Sequence, residues 1–284
     1  MRADQRFVGL PKAFWANVRT ISQEAGYTQR RKGEVKVHTV AEMAAAMTAC
    51  GLRVTHLTGK DGTTELGYTL ERYFAYRADV LNAHVAPLLM DAPEAKALFE
   101  QLHEQLKPTC PIPMNKQKGE KASPNFLTGI VNMLVQANSE GLSVDYDPRE
   151  LTTFTKDGAP LRTLARRVDG CFPGPVNPVA VWEIKEYYYT TTFGSRVADG
   201  VYETLLDGLE LEEVKHREGI ECEHVLIADS KYTWWECGRS YLCRIVDMLN
   251  MGYVDEVLFG KEVVERLPGL VRGWVAAARQ RETG

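Results

Sequence analysis

The sequence lacks the features that would place the chain in a membrane or outside the cell. No run of about 18 apolar residues occurs, so a membrane-spanning helix is not expected. The first residues, MRADQRFVGLPKAFW, lack the apolar core of a signal peptide. The six cysteines are scattered without a CxxC pair, which is typical of free thiols in a reducing compartment. These absences predict a cytoplasmic protein.

Several motifs with well-defined chemistry are also absent. The sequence contains no GxxxxGK[ST] phosphate-binding loop, no GxSxG nucleophile motif and no HExxH zinc motif. Cys222, His224, Cys237 and Cys243 lack the paired short loops of structural zinc sites. Nucleotide-driven work, serine hydrolysis and a structural zinc are therefore not indicated.

The formal net charge of −4 argues at first against a nucleic-acid partner, but the charge is unevenly distributed. Residues 1–36 contain eight Lys and Arg against three acids, and residues 107–122 contain four Lys against one acid. Residues 199–236 contain eleven acids against three bases. Because phosphate binding depends on the local field, the two basic segments leave double-stranded DNA possible as a partner. Charge runs are also common on solvated surfaces, so the asymmetry does not require DNA.

The predicted elements change near residue 110. Before it the sequence predicts four helical segments. They are PKAFWANVRTISQEAG, the helix that Thr39 caps, the long stretch that begins with TTELGYTLERYF, and APEAKALFEQLHEQL. The Pro-rich KPTCPIP follows and marks the most visible break in the chain. We therefore predict a mainly helical region over 1–110, the candidate DNA-recognition part, and an α/β core over 111–284. The helical region is either a helix-turn-helix head or a plain scaffold.

The second part alternates strands and helices. SPNFLTGIVNMLVQAN is a predicted helix with Ser123 as its cap and Pro124 at its first position. The strands LTTFT and LARRVDG, joined by the KDGAP turn, are followed by the strand PVAVWEIKEYY. Predicted after them are a helix, the strand EHVLIAD, a helix, the strand VDEVLFG and a last helix. This order predicts a mixed central β-sheet flanked by helices.

Two charged residues, Glu183 and Lys185, lie within the strand AVWEIKE. Buried strands rarely carry charge unless it is paired or holds a metal. Strand side chains alternate, so Glu183 and Lys185 share one face, while Trp182 and Ile184 face the opposite, apolar side. The Gly- and Pro-rich GCFPGPVNPVAVW suits a loop that brings Asp169 back beside them.

Two neighbouring carboxylates and a lysine are suited to metal-assisted hydrolysis of a phosphodiester. Mg²⁺ binds one or two carboxylates and keeps waters and phosphate oxygens as its other ligands. A nearby lysine can stabilise the negative charge of the phosphorane and orient the attacking water. The alternative that these residues leave open is a surface Asp beside a strand-edge Glu–Lys ion pair, with no metal.

The Asp at the end of one strand, the Glu-x-Lys on the next, and the helix–strand–helix after it together resemble the PD-(D/E)XK nuclease superfamily. Within that superfamily the chain is similar to type II restriction endonucleases, over about residues 120–260, with Val168 where the family has Pro. The resemblance implies a restriction-endonuclease-like core over 111–284. It also implies metal-binding acids at Asp169 and Glu183, a catalytic lysine at Lys185, Mg²⁺ as cofactor, and Glu120 as a possible additional acid.

Further residues are candidates for contacts with DNA. Hydroxyls after the lysine can donate hydrogen bonds to phosphate oxygens, and an arginine can clamp one. A helix cap beside an aromatic cluster is the alternative for this segment. The candidates are Thr191, Thr192, Ser195, Arg196 and the basic residues Lys116, Lys118 and Lys121.

The resemblance implies a Mg²⁺-dependent endonuclease that cuts double-stranded DNA at a specific sequence. A homodimer is expected, because two sites related by a two-fold axis would cut both strands, and a cognate DNA methyltransferase would belong to the same system. Two alternatives stay open: a structure-specific repair or processing nuclease of the same core, and a non-catalytic DNA-binding scaffold. Trp234 and Trp235 would either wedge between bases or fill a core or dimer contact.

Overall fold

The structure, a computed structural model, describes residues 1–29, 32–117, 120–189 and 194–283, without the side chains of residues 116, 117, 120–122, 282 and 283. The α-helices in these ranges are α1 (Lys12–Ala25), α2 (Val40–Ala49), α3 (Glu65–Asp79), α4 (Ala92–Leu106), α5 (Phe126–Asn138), α6 (Ser195–Glu218), α7 (Arg239–Met251) and α8 (Glu262–Thr283). Two π-helical turns cover Val80–Val85 and Lys231–Cys237. None of the described helices is long and apolar enough to cross a membrane.

The strands form one central sheet and several short hairpins. The hairpins pair β1 (Thr28–Gln29) with β2 (Glu34–Val35), β3 (Thr58–Gly59) with β4 (Gly62–Thr63), β5 (Met114–Gln117) with β6 (Glu120–Pro124), and β7 (Thr153–Lys156) with β8 (Ala159–Thr163). The central sheet contains β9 (Gly170–Phe172), β10 (Ala180–Glu186), β11 (Glu223–Asp229) and β12 (Glu256–Phe259).

The central sheet is mixed, with the strand order β12–β11–β10–β9. β10, β11 and β12 are parallel, whereas β9 runs antiparallel to β10. Parallel neighbours need a crossover connection, and α6 and α7 supply the two that link β10 to β11 and β11 to β12. The prediction of an α/β fold with a mixed sheet and flanking helices is confirmed.

The two faces of the sheet are covered by different helices. Trp182 and Ile184 on β10 pack with residues of α5 and α8, and the indole of Trp182 stacks on that of Trp274 with ring centroids 5.5 Å apart. The opposite face carries Val181, Glu183 and Lys185, and α6 and α7 pack on that side. The alternation expected for a strand therefore separates an apolar face of β10 from a face that becomes ionic near its end.

The N-terminal helices form their own apolar cluster and join the sheet through a buried ion pair. Phe14, Trp15 and Tyr73 pack in edge-to-face contacts between α1 and α3. Arg77 on α3 is fully buried and binds both carboxylate oxygens of Asp247 on α7 at 3.0 Å. α4 packs instead with α5 and the apolar cluster of the sheet core. The domain boundary near residue 110 stays a prediction.

Two local predictions are wrong. Helix α5 begins at Phe126, not at Ser123, because Ser123 and Pro124 pair with β5 as the end of strand β6. LARRVDG is not a strand, because the hairpin register pairs Thr153 with Thr163 and so ends β8 just before Leu164. Asp169 therefore lies in the segment that connects β8 to β9, directly before β9.

At Gly208, helix α6 lies close to the chain that follows α7. A Cβ at Gly208 would lie 2.1 Å from the carbonyl oxygen of Tyr253, whereas a Cβ at Gly273 on α8 would meet nothing within 4 Å. We expect Gly208→Ala to lower the free energy of unfolding by about 1–3 kcal/mol, since overpacking forces the backbone apart. Gly273→Ala, the matched control, should raise it by about 0.5–1 kcal/mol through helix propensity. Urea denaturation measures both, and equal shifts would contradict the close contact.

Candidate functional site

Strand β10 holds a carboxylate and an ammonium group side by side beneath α6. The Nζ of Lys185 lies 2.6 Å from Oε2 of Glu183, and the Glu183 side chain is completely buried. Lys185 is 7 % exposed. Gly200 on α6 makes room for the lysine, because a Cβ at that position would lie 3.2 Å from its Cδ. The strand thus carries a charged pair that the helix above it almost seals from solvent.

Asp169 joins this pair from the neighbouring chain segment. Its Oδ2 accepts a hydrogen bond from the backbone N–H of Ile184 at 2.7 Å, and its own N–H donates to Oε1 of Glu183 at 3.2 Å. These bonds form where β9 begins to pair with β10. The structure therefore brings together Asp169, Glu183 and Lys185, as the sequence pattern suggested; their catalytic and metal-binding roles remain predictions.

Three charged residues that sequence reasoning missed complete the cluster. Nη1 of Arg166 lies 2.9 Å from Oε1 of Glu183 and 2.6 Å from Oδ2 of Asp207, which is buried on α6. Glu203, one turn earlier on α6, lies 3.5 Å from both Arg166 and Lys185. The i, i+4 spacing of Glu203 and Asp207 was the available signal, since such residues share one helix face. Four acids and two bases thus share one partly closed site.

Burial and neighbouring charges set the protonation of the cluster. Burial acts to raise the pKa of Glu183, but the charges of Lys185 and Arg166 outweigh it and hold that pKa below its ordinary value. Burial acts to lower the pKa of Lys185, and the attraction of Glu183 and Asp169 raises it instead. Glu183 is therefore a carboxylate and Lys185 an ammonium at neutral pH.

The two other buried acids have raised pKa values. Burial, together with repulsion from Glu183, raises the pKa of Asp169 to about 6 and that of Asp207 to about 7. Asp207 also has one buried carboxylate oxygen, Oδ1, without a hydrogen-bond partner among the described residues. The site therefore holds more negative charge than its two bases compensate, which favours the uptake of a proton or a cation.

The raised pKa of Asp169 predicts a pH effect on folding in metal-free protein with EDTA. Between its ordinary value of 3.8 and about 6, folded Asp169 keeps a proton that the unfolded chain has lost. Its contribution therefore stabilises the fold at acid pH and declines as the pH rises through this window. An asparagine side chain cannot titrate, so the stability of Asp169→Asn relative to the parent should rise by roughly 2–3 kcal/mol between about pH 4 and pH 7.

Urea denaturation across this pH range measures the difference. Asp157→Asn, in the exposed turn between β7 and β8, provides the control for an Asp-to-Asn change elsewhere. A difference between Asp169→Asn and parent that stays constant with pH would contradict the buried environment of Asp169.

Asp169 and Glu183 are the carboxylates of the cluster that a Mg²⁺ ion would need. The described part of the chain contains no group of three or more His, Cys, Asp or Glu placed to hold a metal ion. Asp169 and Glu183 nevertheless meet the smaller requirement of Mg²⁺, which takes one or two carboxylates and completes its shell with water and phosphate oxygens. In the structure, the negative charge on Oε1 of Glu183 is compensated by the guanidinium of Arg166.

Glu186, the acid directly after Lys185, and the remaining candidate residues lie apart from the cluster or outside the described residues. Glu186 accepts hydrogen bonds from the backbone N–H of Thr128 at 3.0 Å and from its hydroxyl at 3.1 Å, so it stabilises the start of α5. Ser195 and Arg196 are exposed at the start of α6. Thr191, Thr192, Lys118 and the side chains of Lys116, Glu120 and Lys121 lie outside the described residues.

Part of the positive charge in residues 1–36 is paired within the fold. Arg2 binds Glu256 at 2.6 Å, Arg6 binds Asp4 at 2.7 Å and Lys36 binds Glu42 at 2.9 Å. These pairs reduce the charge that the N-terminal region offers to a phosphate backbone.

The two tryptophans that follow β11 have different environments. Trp234 is completely buried, and its Nε1 lies 3.4 Å from the carbonyl oxygen of Lys185. It therefore fills the core and does not wedge between bases. Trp235 is partly buried. The guanidinium carbon of Arg239 lies over its ring, 4.8 Å from the ring centroid.

Comparisons with known proteins give two family matches. No curated protein and no solved structure matches the chain. Residues 1–84 match the family model described as Domain of unknown function (DUF7690). Residues 90–274, more than half of the chain, match the model described as Domain of unknown function (DUF7687). The chain therefore belongs to the family Domain of unknown function (DUF7687).

Proposed function

We propose that the protein is a Mg²⁺-dependent endonuclease of the PD-(D/E)XK type that hydrolyses phosphodiester bonds of double-stranded DNA at a specific sequence. The observation that carries the proposal is that Asp169, Glu183 and Lys185 come together where β9 meets β10. Glu183 accepts hydrogen bonds from the ammonium of Lys185 and from the backbone N–H of Asp169. The carboxylate of Asp169 accepts one from the backbone N–H of Ile184. A buried acid–lysine pair on a strand needs a reason, because burial of charge is costly.

The topology around the cluster supports the same proposal. A helix, α5, precedes the sheet, an antiparallel strand carries its acid at the start, and the Glu-x-Lys strand is followed by a crossover helix and a parallel strand. The Glu-x-Lys strand and the elements after it have the order on which the resemblance to restriction endonucleases rests, whereas Asp169 lies directly before β9 and not at the end of a strand. We therefore include a restriction-endonuclease-like core in the proposal.

Each residue has a defined part in the proposed reaction. Asp169 and Glu183 would hold the metal ion through their carboxylates. When bound, Mg²⁺ would supply Lewis-acid stabilisation of charge on the phosphate and activation of water. Lys185 keeps its proton and presents an ammonium group that can stabilise the negative charge developing on the phosphate oxygens. Because Lys185 lies on a buried strand, its ammonium group is already held in position before a substrate binds.

Arg166, which neutralises Glu183 in the structure, also has a role in the proposed reaction. The guanidinium bridges Glu183 and Asp207, and a planar fork of this kind also binds phosphate oxygens. Arg166 compensates the charge of Glu183 in the structure, and its guanidinium would be available to a phosphate oxygen if Glu183 held a metal ion instead. Asp207 retains it near the site in both situations.

A homodimer and a cognate DNA methyltransferase belong to the proposal as well. Cutting both strands at one sequence is most simply achieved by two identical sites related by a two-fold axis. A host that contains such an activity needs its own DNA protected at the same sequence. Size-exclusion chromatography with light scattering gives the molar mass of the particle, with and without DNA, and so tests whether the protein is a dimer.

Incubation with supercoiled plasmid, phage DNA and branched oligonucleotides tests the proposed function. The assay runs with Mg²⁺ and again with excess EDTA. Discrete fragments that require Mg²⁺ would support site-specific cleavage. Cutting confined to branched substrates, or a smear, would favour a structure-specific repair or processing nuclease. Absence of cleavage with any divalent metal, together with retained DNA binding, would favour a non-catalytic DNA-binding scaffold.

A further inference from the structure

A cavity of about 490 Å³ lies between α1 and the helices α6 and α7. Residues that line it include Arg19, Tyr27, Tyr202, Leu205, Arg244 and Met248, and we call it the tyrosine–arginine cavity. Its volume is in the range of small-molecule sites, roughly 300–1,000 Å³. None of the residues of the Asp169–Glu183–Lys185 cluster lines it.

Two arginines at the cavity lack an acidic partner. Arg19 makes a contact of 3.6 Å with the sulfur of Met251, which is a weak acceptor. Arg244 donates to the hydroxyls of Tyr202 at 2.8 Å and Tyr27 at 3.4 Å. Within the described residues, neither arginine forms an ion pair with a carboxylate. Both guanidinium groups therefore have unused capacity for an anion.

The acid at the floor of the cavity does not supply the missing negative charge. Asp247 binds the guanidinium of Arg77 through both of its oxygens at 3.0 Å and accepts a hydrogen bond from Tyr73 at 2.5 Å. Glu24 is the other acid in the lining, and it lies 3.9 Å from the thiol of Cys50. With Asp247 committed to Arg77, two arginines face one available acid, so the cavity is net positive.

Aromatic and apolar side chains form the rest of the wall. Tyr202 is 51 % exposed although it is a large aromatic residue, and Val201, Leu205 and Met248 also line the cavity. Arg244 lies over the ring of Tyr27, 5.3 Å from its centroid, and is held there by the hydroxyl contacts. Tyrosine faces favour planar rings, while arginines held in place favour phosphate or carboxylate.

We propose that the tyrosine–arginine cavity binds a planar aromatic ring that carries a phosphate, the chemistry of a nucleoside 5′-monophosphate. The ring would contact Tyr202 and the apolar wall, and Arg19 and Arg244 would bind the phosphate. The source is either a free mononucleotide or the 5′-phosphorylated terminal nucleotide of a DNA strand. The site does not depend on the proposed nuclease function.

Isothermal titration calorimetry of the full chain with each deoxynucleoside 5′-monophosphate tests the proposal. We expect saturable binding below about 1 mM. A deoxynucleoside without phosphate, and inorganic phosphate alone, should each bind at least about tenfold more weakly. A 5′-phosphorylated single-stranded oligonucleotide identifies the source: tighter binding than the mononucleotide points to a DNA end, and equal or weaker binding to the free nucleotide.

Variants locate the site. Arg244→Met and Arg19→Met should each weaken binding by about tenfold or more, and Leu205→Trp should abolish it by filling the cavity while both arginines remain. Arg72→Met, on the exposed face of α3, should bind as the parent does. No binding of any monophosphate at about 1 mM, or binding that Leu205→Trp leaves intact, would overturn the proposal.

Discussion

Lys185→Met should lower the rate of DNA cleavage by about 10²–10³-fold, the typical effect of removing one group that stabilises charge in the transition state. Methionine keeps most of the stem that lies against Gly200 and removes the ammonium. Glu183 keeps its contact with Arg166 at 2.9 Å, so the variant should fold. Single-turnover nicking of supercoiled plasmid in Mg²⁺ measures the rate.

The matched control is Lys215→Met near the end of the same helix that covers the site. Lys215 pairs at 3.1 Å with Glu221 at the surface and should be dispensable for cleavage. A gel-shift assay in Ca²⁺ should show that Lys185→Met retains its affinity for DNA, which would assign the loss to the chemical step. Cleavage by Lys185→Met at the parent rate would rule out the catalytic role of this lysine.

Asp247→Ala should destabilise the protein by about 3–5 kcal/mol, because it leaves the Arg77 guanidinium buried without its charge partner. Arg77 is fully buried, and its other described hydrogen bond, to Ser22, is neutral. The substitution also removes the acceptor of the Tyr73 hydroxyl. The midpoint and slope of urea denaturation measure the loss.

Two further variants separate charge burial from simple loss of packing. Arg77→Met combined with Asp247→Leu replaces the pair with apolar side chains and should recover much of the stability that Asp247→Ala loses. Asp79→Ala breaks an exposed contact with His84 and should change stability by no more than about 1 kcal/mol. A similar loss for Asp79→Ala and Asp247→Ala would contradict the account of the buried pair.

The order of the main helices and of the strands in the central sheet was predictable where the local signals agree with the tertiary structure. Strand β11 corresponds to the apolar run in EHVLIAD, and helix α2 begins with a capping box formed by Thr39 and Glu42. The strand LTTFT and the KDGAP turn of the β7–β8 hairpin were predicted. The hairpins β1–β2 and β3–β4 and the π-helical turns were not, since two-residue strands and single π turns have no periodic pattern. The true start of α5 was missed because the pairing of β6 with β5 overrides the Ser-Pro capping signal.

The candidate site was predictable where strand periodicity determines it. Glu183 and Lys185 had to share a face, and the loop after Asp169 could return that residue to their side. Arg166 could not be placed, because the segment that carries it was assigned to a strand and instead connects two strands. Asp207 belongs to the acid-rich segment 199–236, in which no sequence signal distinguishes it, and only the packing of α6 on the sheet buries it.

The most direct measurement compares plasmid nicking by the parent and by Glu183→Gln, in Mg²⁺ and in EDTA. Glutamine keeps the shape of the side chain and removes the charge that both Lys185 and the proposed metal require. The account predicts that the parent cuts DNA only with Mg²⁺ and that Glu183→Gln does not cut under either condition. A parent protein that is inactive with every divalent metal, or a Glu183→Gln variant as active as the parent, would contradict it.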